Sequence, residues 1–217
     1  MPGKLTYFDL GGRSEGIRSM LAHANHDYED NRITPQQFGE LKAAGHFPLG
    51  SAPIWEEDGM CIPQSSTILR GLGIRLGYYS NDSETCWNID SLVDFCEDMM
   101  GAIPAYTAPL LSGGVPNEAI ADQWVNKSWR KMVTVLEGRL AGHGKPFLAG
   151  TDRPTIADFK AFQHVTNYLK GNGCKTPQPT VSRVEALIAD HTHYARWCET
   201  MSGELSAYLR DRPARPF

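Results

Sequence analysis

The sequence predicts an α+β protein, a four-stranded mixed sheet with helices packed on it followed by an all-helical part. Three observations carry this reading. Strand-like and helix-like segments alternate in the first part of the chain. A polar, turn-rich stretch, "GYYSNDSETCWN", then breaks the texture. From Ile89 onward every strong pattern is helical. The expected division is 1–79 for the sheet domain, 80–87 for a linker and 88–217 for the helical domain. No internal repeat or low-complexity segment interrupts it.

Leu5, Tyr7 and Phe8 form a short first strand, ended by Gly11 and Gly12. Ile17, Met20, Leu21 and Ala24 then recur at i, i+3, i+4 and i+7, one face of a helix, for which Ser14 is the expected N-cap. Residues 28–33, "YEDNRI", read as a second strand, polar enough to lie near an edge. A parallel pair joined by a helix makes the usual right-handed βαβ unit. In "PIWEEDGMCIP", residues 53–63, two short runs flank Asp58-Gly59, a strong hairpin signal. Ser65 and Ser66 offer N-cap oxygens to a helix carrying Ile68, Leu69, Leu72 and Leu76.

In the second part, Ile89, Leu92, Val93, Cys96, Met99 and Met100 form one helical stripe. Ile120, Trp124, Met132, Leu136 and Leu140 suggest a long helix, residues 155–169 another, and 184–201 at least one more.

With 217 residues, 41% hydrophobic and 21% charged, the composition is that of an ordinary globular protein. The net charge of -4 gives no electrostatic case for nucleic acid or an anionic membrane surface. No apolar run approaches the roughly 20 residues that cross a bilayer, and "MPGKLTY" lacks an apolar signal core, so a cytoplasmic location is expected. Cys61, Cys86, Cys96, Cys174 and Cys198 have no CxxC spacing and read as free thiols, with no metal site.

Three stretches bear on chemistry. Pro53 opens a hairpin strand and cannot donate to the ladder. Were its bond cis, the Ala52 backbone would be an unpaired edge for an extended peptide ligand; an ordinary trans proline is the alternative. Gln64 and Ser65 stand at a helix N-terminus, where free N–H groups favour a carboxylate, or where Ser65 simply caps. "RPTIADFKAF" holds Thr155 and Asp158 in a capping box with the shorter Asp, a folding device contributing about 1 kcal/mol.

Taken in order, "LTYFDLGGRSEGIR", "YEDNRI", "GSAPIWEEDG", "QSSTILRGLG" and "TIADF", with the closing "LRDRPARPF", resemble the cytosolic glutathione S-transferases over almost the whole chain. The tyrosine ending the first strand before a G-R-S-E segment looks most like the sigma class, which includes haematopoietic-type prostaglandin D synthases and lens S-crystallins.

The resemblance implies a thioredoxin-like N-terminal domain (βαβ-α-ββα), a helical C-terminal domain, a homodimer, glutathione as co-substrate and no metal. It assigns Tyr7 as the hydroxyl that donates to the glutathione sulfur and Arg13 as a positive charge near the thiolate or electrophile. Gln64 and Ser65 match the residues on the γ-glutamyl carboxylate. Ala52, before an expected cis Pro53, matches the residue whose backbone pairs with the cysteinyl unit. Ser51 adjoins it in a loop one residue longer than the family's usual one. Lys42 matches the lysine at the glycyl carboxylate, and Asp98 the aspartate reaching across the dimer. Phe38 stands where the family usually has a tryptophan, Gly12 where an arginine is common, and Ser14 is a rival hydroxyl. Met99, Met100, Ile103 and Tyr106 are candidates for the apolar substrate wall, with Phe47 or Leu49 as interface anchors.

The implied function is conjugation of glutathione to electrophilic, largely apolar compounds, a detoxification chemistry. A glutathione-dependent isomerase and a non-catalytic, crystallin-like binding protein are the alternatives.

Overall fold

The computed structural model describes residues 2–101, 103–170 and 173–215, with only the backbone of residue 104; the last two residues of the closing stretch lie outside the described residues. Strand β1 (Gly3–Phe8) leads through a single 3-10 turn (Gly12–Ser14) into helix α1 (Glu15–His23). Strand β2 (Tyr28–Ile33), helix α2 (Pro35–Ala43), strands β3 (Ile54–Glu57) and β4 (Met60–Pro63) and helix α3 (Ser65–Leu76) follow. The sheet order is β2-β1-β3-β4. β1 runs parallel to β2 and antiparallel to β3, which pairs antiparallel with β4 across the Asp58-Gly59 turn. The polar β2 is one of the two edge strands, as its composition predicts.

Helix α2 has no fully buried residue, so hydrophobic spacing does not announce it. Its cap does: the Thr34 hydroxyl accepts from Gln37 N–H, the Gln37 side chain accepts from Thr34 N–H, and Pro35 opens the helix.

The helical part comprises α4 (Ser83–Gly101), α5 (Ile103–Leu111), α6 (Glu118–Gln123), α7 (Arg130–His143), α8 (Ile156–Tyr168), α9 (Gln178–Ala189), α10 (Thr192–Glu204) and α11 (Ser206–Asp211). Three boundaries differ from expectation. α4 starts at Ser83, inside the stretch read as a linker, because the Asp82 carboxylate accepts from both the N–H and the hydroxyl of Thr85. The long helix expected around Trp124 exists, but a π-helical turn (Trp124–Trp129) joins α6 to α7. That turn brings Trp124 and Trp129, five residues apart and both buried, into edge-to-face contact. The segment 184–201 is two helices, broken at Asp190-His191.

One apolar cluster runs through both parts, from Leu5, Met20 and Leu72 to Trp124, Phe159 and Trp197. At its centre lies α8, every residue of which is buried. Its first turn is more than a simple cap. The buried Asp158 carboxylate accepts from the N–H of Leu148, the N–H and hydroxyl of Thr155, and the indole N–H of Trp197. Asp158 therefore ties three segments together, where sequence spacing shows only a local capping box.

Candidate functional site

The strand registers converge at one end of the sheet. Thr6 pairs with Ile54 and Ile54 with Pro63, so Tyr7 near the end of β1, Pro53 just before β3 and Gln64 just after β4 stand at the same end of the sheet. The Ala52–Pro53 bond is cis. Ala52 is half-buried and Ser51 exposed. Gln64 has φ +74°, a left-handed backbone that is sparsely populated for a side-chain-bearing residue and clusters at ligand sites. It is the residue before α3, and no side chain caps that helix. The capping expected of Ser65 and Ser66 is thus not made: Ser65 is the first helical residue and is buried, and the Ser66 hydroxyl has no hydrogen-bond partner among the described residues. The first N–H groups of α3 keep no internal side-chain partner, which suits an anionic ligand.

Tyr7, at the end of β1, is 7% exposed. The backbone N–H of Arg13 donates to its hydroxyl at 3.3 Å. Burial pushes the phenol above its ordinary value, opposed by that hydrogen bond and by the charges of Arg13 and Arg18. The hydroxyl therefore keeps its proton at neutral pH and accepts one hydrogen bond while remaining free to donate. The Arg18 guanidinium lies 5.9 Å from the ring centroid. It donates to Asp30 at 3.1 Å and to the Leu10 carbonyl at 2.7 Å, fixing the turn that follows β1.

The Arg13 guanidinium is ion-paired with Glu97 of α4, so the expected free positive charge is shared with a carboxylate. Glu97 also binds the Lys160 ammonium of α8 at 2.6 Å. Asp98, the next residue, is exposed. Ser14 does not make the expected cap of α1; its hydroxyl is buried with no partner among the described residues, so it stays a rival to Tyr7.

A second group adjoins. The ring of Phe8 contacts Tyr7 at 5.5 Å and Phe38 at 5.1 Å, and Phe38 in turn contacts Phe47 at 4.9 Å. The Lys42 ammonium sits 5.7 Å from the Phe38 ring, on an exposed side chain. Phe47 is buried in this small cluster with Ile33 and Ile54, so it packs within its own chain; Leu49, 61% exposed, is the one of the two expected anchors that faces outward.

The apolar wall needs correction. Tyr106 is fully buried and stacked on Trp124 at 4.0 Å, and Met100 and Ile103 are 5% and 6% exposed in the same core. Only Met99 is half-buried at its margin. Helical spacing cannot tell a core stripe from a pocket wall, and here the core claims three of the four.

Sequence reading also missed the contribution of α8. Gln163 accepts from the Gly16 N–H at 3.4 Å, and Asn167 donates to the Gly12 carbonyl at 3.0 Å. Lys160, Gln163 and Asn167 occupy i, i+3 and i+7 of a wholly buried helix. That polar stripe was visible in the sequence, but such stripes ordinarily face water. Among the described residues no group of three or more His, Cys, Asp or Glu side chains could hold a metal ion, and the five cysteines are free.

Comparison with known proteins shows what the chain is similar to as a whole. Residues 3–72 match the family model described as "Glutathione S-transferase, N-terminal domain" and residues 113–200 that described as "Glutathione S-transferase, C-terminal domain". The chain is 34% identical to glutathione S-transferase 3 of Caenorhabditis elegans, over 76% of this chain and 80% of that one. It is 37% identical to the hematopoietic prostaglandin D synthase of Homo sapiens, over 46% of this chain and 50% of that one. A solved nematode-specific glutathione S-transferase of C. elegans superposes with a TM-score of 0.79 at 25% identity, covering 100% of this chain and 99% of its own.

Proposed function

This chain belongs to the glutathione S-transferase family, and from that premise we propose that it activates the glutathione thiol with Tyr7 for attack on electrophilic, largely apolar compounds. The observation that carries the reading is the Tyr7 hydroxyl at the end of β1, held neutral by burial and oriented by the Arg13 N–H. An unperturbed thiol ionises near pH ~8.5 and is only a few per cent thiolate at neutral pH. Lowering that value by about two units requires a preference of roughly 2.7 kcal/mol for the anion. A charge-assisted hydrogen bond from a phenol of low surrounding dielectric contributes about 1.5–3 kcal/mol of this. The thiol proton passes to solvent, and the thiolate then forms a bond to the electrophilic carbon as the leaving group departs with its electron pair.

The tripeptide lies along the end of the sheet. Its γ-glutamyl carboxylate meets the uncapped start of α3 at Gln64 and Ser65, its cysteinyl unit runs beside Ser51, Ala52 and Pro53, and Lys42, backed by Phe38, faces its glycyl carboxylate. Residues 1–79 are the glutathione-binding domain and 88–217 the domain against which the second substrate rests, with Met99 on its wall. Asp98 and Leu49 face a second copy in a sigma-like homodimer. Among the described residues no helix is long and apolar enough to cross a membrane, and we assign the protein to the cytoplasm in a detoxification role.

The test is turnover of a chlorinated nitroaromatic by Tyr7→Phe. The variant is expected to bind glutathione but to lose most of its turnover at neutral pH. Undiminished turnover would remove Tyr7 from the mechanism and promote Ser14. Product analysis with a lipid endoperoxide separates conjugation from isomerisation, since an isomerase returns glutathione unconsumed.

A further inference from the structure

Lys160 is 1% exposed, in the middle of a buried helix, and lysine is almost never found there without a partner. Its partner is a carboxylate that already has another: one oxygen of Glu97 takes the Arg13 guanidinium and the other takes Lys160. Were Arg13 and Glu97 alone, the pair would be neutral. With Lys160 these three groups carry one net positive charge, the exposed Asp94 carboxylate nearby being paired with Arg70 at 4.0 Å, and Arg13, the nearest member, gives its backbone N–H to the Tyr7 hydroxyl. We propose that Lys160 is a positioning residue for thiol activation, acting through Glu97 to hold Arg13 beside Tyr7 and to leave that cluster net positive. The inference rests on the assignment of Tyr7 as the hydroxyl that meets the glutathione sulfur.

The neighbouring groups are consistent with a charge that matters and is adjustable. Asp94, Cys96 and Glu97 face Lys160 from α4, Arg13 from the turn after β1, and His164 from the next turn of its own helix. Burial pushes His164 down to about 3, so it is neutral near pH 7, and pushes the Cys96 thiol up to about 12, so it is neutral as well. Burial is also the largest influence on the Lys160 ammonium and lowers it to about 8, with Arg13 acting in the same direction and Asp94 opposing. Below that pH the cluster is net positive; as pH rises through it, the ammonium is lost and the advantage with it. Two further contacts of the same helix, Gln163 to Gly16 and Asn167 to Gly12, bracket the segment that carries Arg13, so the charge sits on a framework that is otherwise held.

The ultraviolet absorbance of the thiolate, titrated with glutathione bound to the full-length protein, tests this directly. Lys160→Gln keeps an N–H for Glu97 but removes the charge; it is expected to raise the ionisation of the bound thiol by about 0.5–1 pH unit, making kcat/KM at pH 6.5 about twofold to fivefold lower. The difference from the native protein should shrink above pH 8, and Lys160→Arg should restore the native profile. Should Lys160→Gln not fold, Lys160→Met set against Lys160→Arg makes the same comparison. A thiol ionisation unchanged in a folded, uncharged variant overturns the proposal, as does failure of Lys160→Arg to restore it. Tyr7→Phe is titrated alongside: if it shifts the thiol and Lys160→Gln does not, only the role of Lys160 fails. If neither shifts it, the Tyr7 assignment itself is wrong.

Discussion

At Gly12 the backbone has φ +47°, and an added Cβ would stand 2.8 Å from the Tyr7 hydroxyl and 2.5 Å from a Leu10 methyl. Both facts demand glycine: the first because a side-chain-bearing residue is strained there, the second because the proposed reacting hydroxyl occupies the space. Gly12→Ala is expected to cost about 1 kcal/mol of stability and to lower kcat roughly tenfold or more by displacing the hydroxyl, with KM for glutathione much less affected. Steady-state kinetics with a thermal melt check this, and an unchanged kcat would show that the hydroxyl tolerates the crowding. The glycine was legible in the sequence as a strand terminator beside a tyrosine. That its missing side chain faces the phenol was not, because two residues five apart meet only when the turn closes.

On the scale of elements, α8 organises the site. Its cap could be read from Thr155 and Asp158, but its burial on every side could not, since Lys160, Gln163, His164 and Asn167 give it the look of a half-exposed helix. The polar groups face the turn after β1 and α4, which lie far away in sequence. His164, 3% exposed, supplies a measurable consequence. Its folded value of about 3 lies below the ordinary 6.5, with burial the largest cause. The folded state thus binds fewer protons between those values than the unfolded state. Its contribution to stability is intact above pH 6.5 and is lost as pH falls, by up to about 1.4 kcal/mol per pH unit. Urea unfolding at pH 7 and pH 5 should show a smaller loss in His164→Leu than in the native protein; equal losses would mean that other groups govern acid sensitivity.

For the whole molecule, the continuous core makes the two parts one packed unit. Helix α3 of the sheet part meets α8 at Gly73, where an added Cβ would lie 2.2 Å from the Ile156 γ2 methyl. Ile156 is fully buried and branched at Cβ, so it cannot swing away without disturbing its neighbours. Gly73→Ala is expected to destabilise the protein by about 1–3 kcal/mol and, because the contact joins the two parts, to lower a single cooperative transition. Two separated transitions in the native protein would contradict that unity.

By itself the sequence determined the fold class, the order of most elements and the candidate tyrosine, because strand alternation, helical spacing and caps are local properties that neighbouring residues encode. It also determined the family, through motifs kept in one order along the chain. Only the tertiary structure decided that Met100, Ile103 and Tyr106 pack into the core, that Phe47 turns inward while Leu49 faces out, and that Arg13 shares Glu97 with a buried lysine of α8. Each of these depends on which distant segment fills the space beside a residue, and local periodicity carries no information about its occupant.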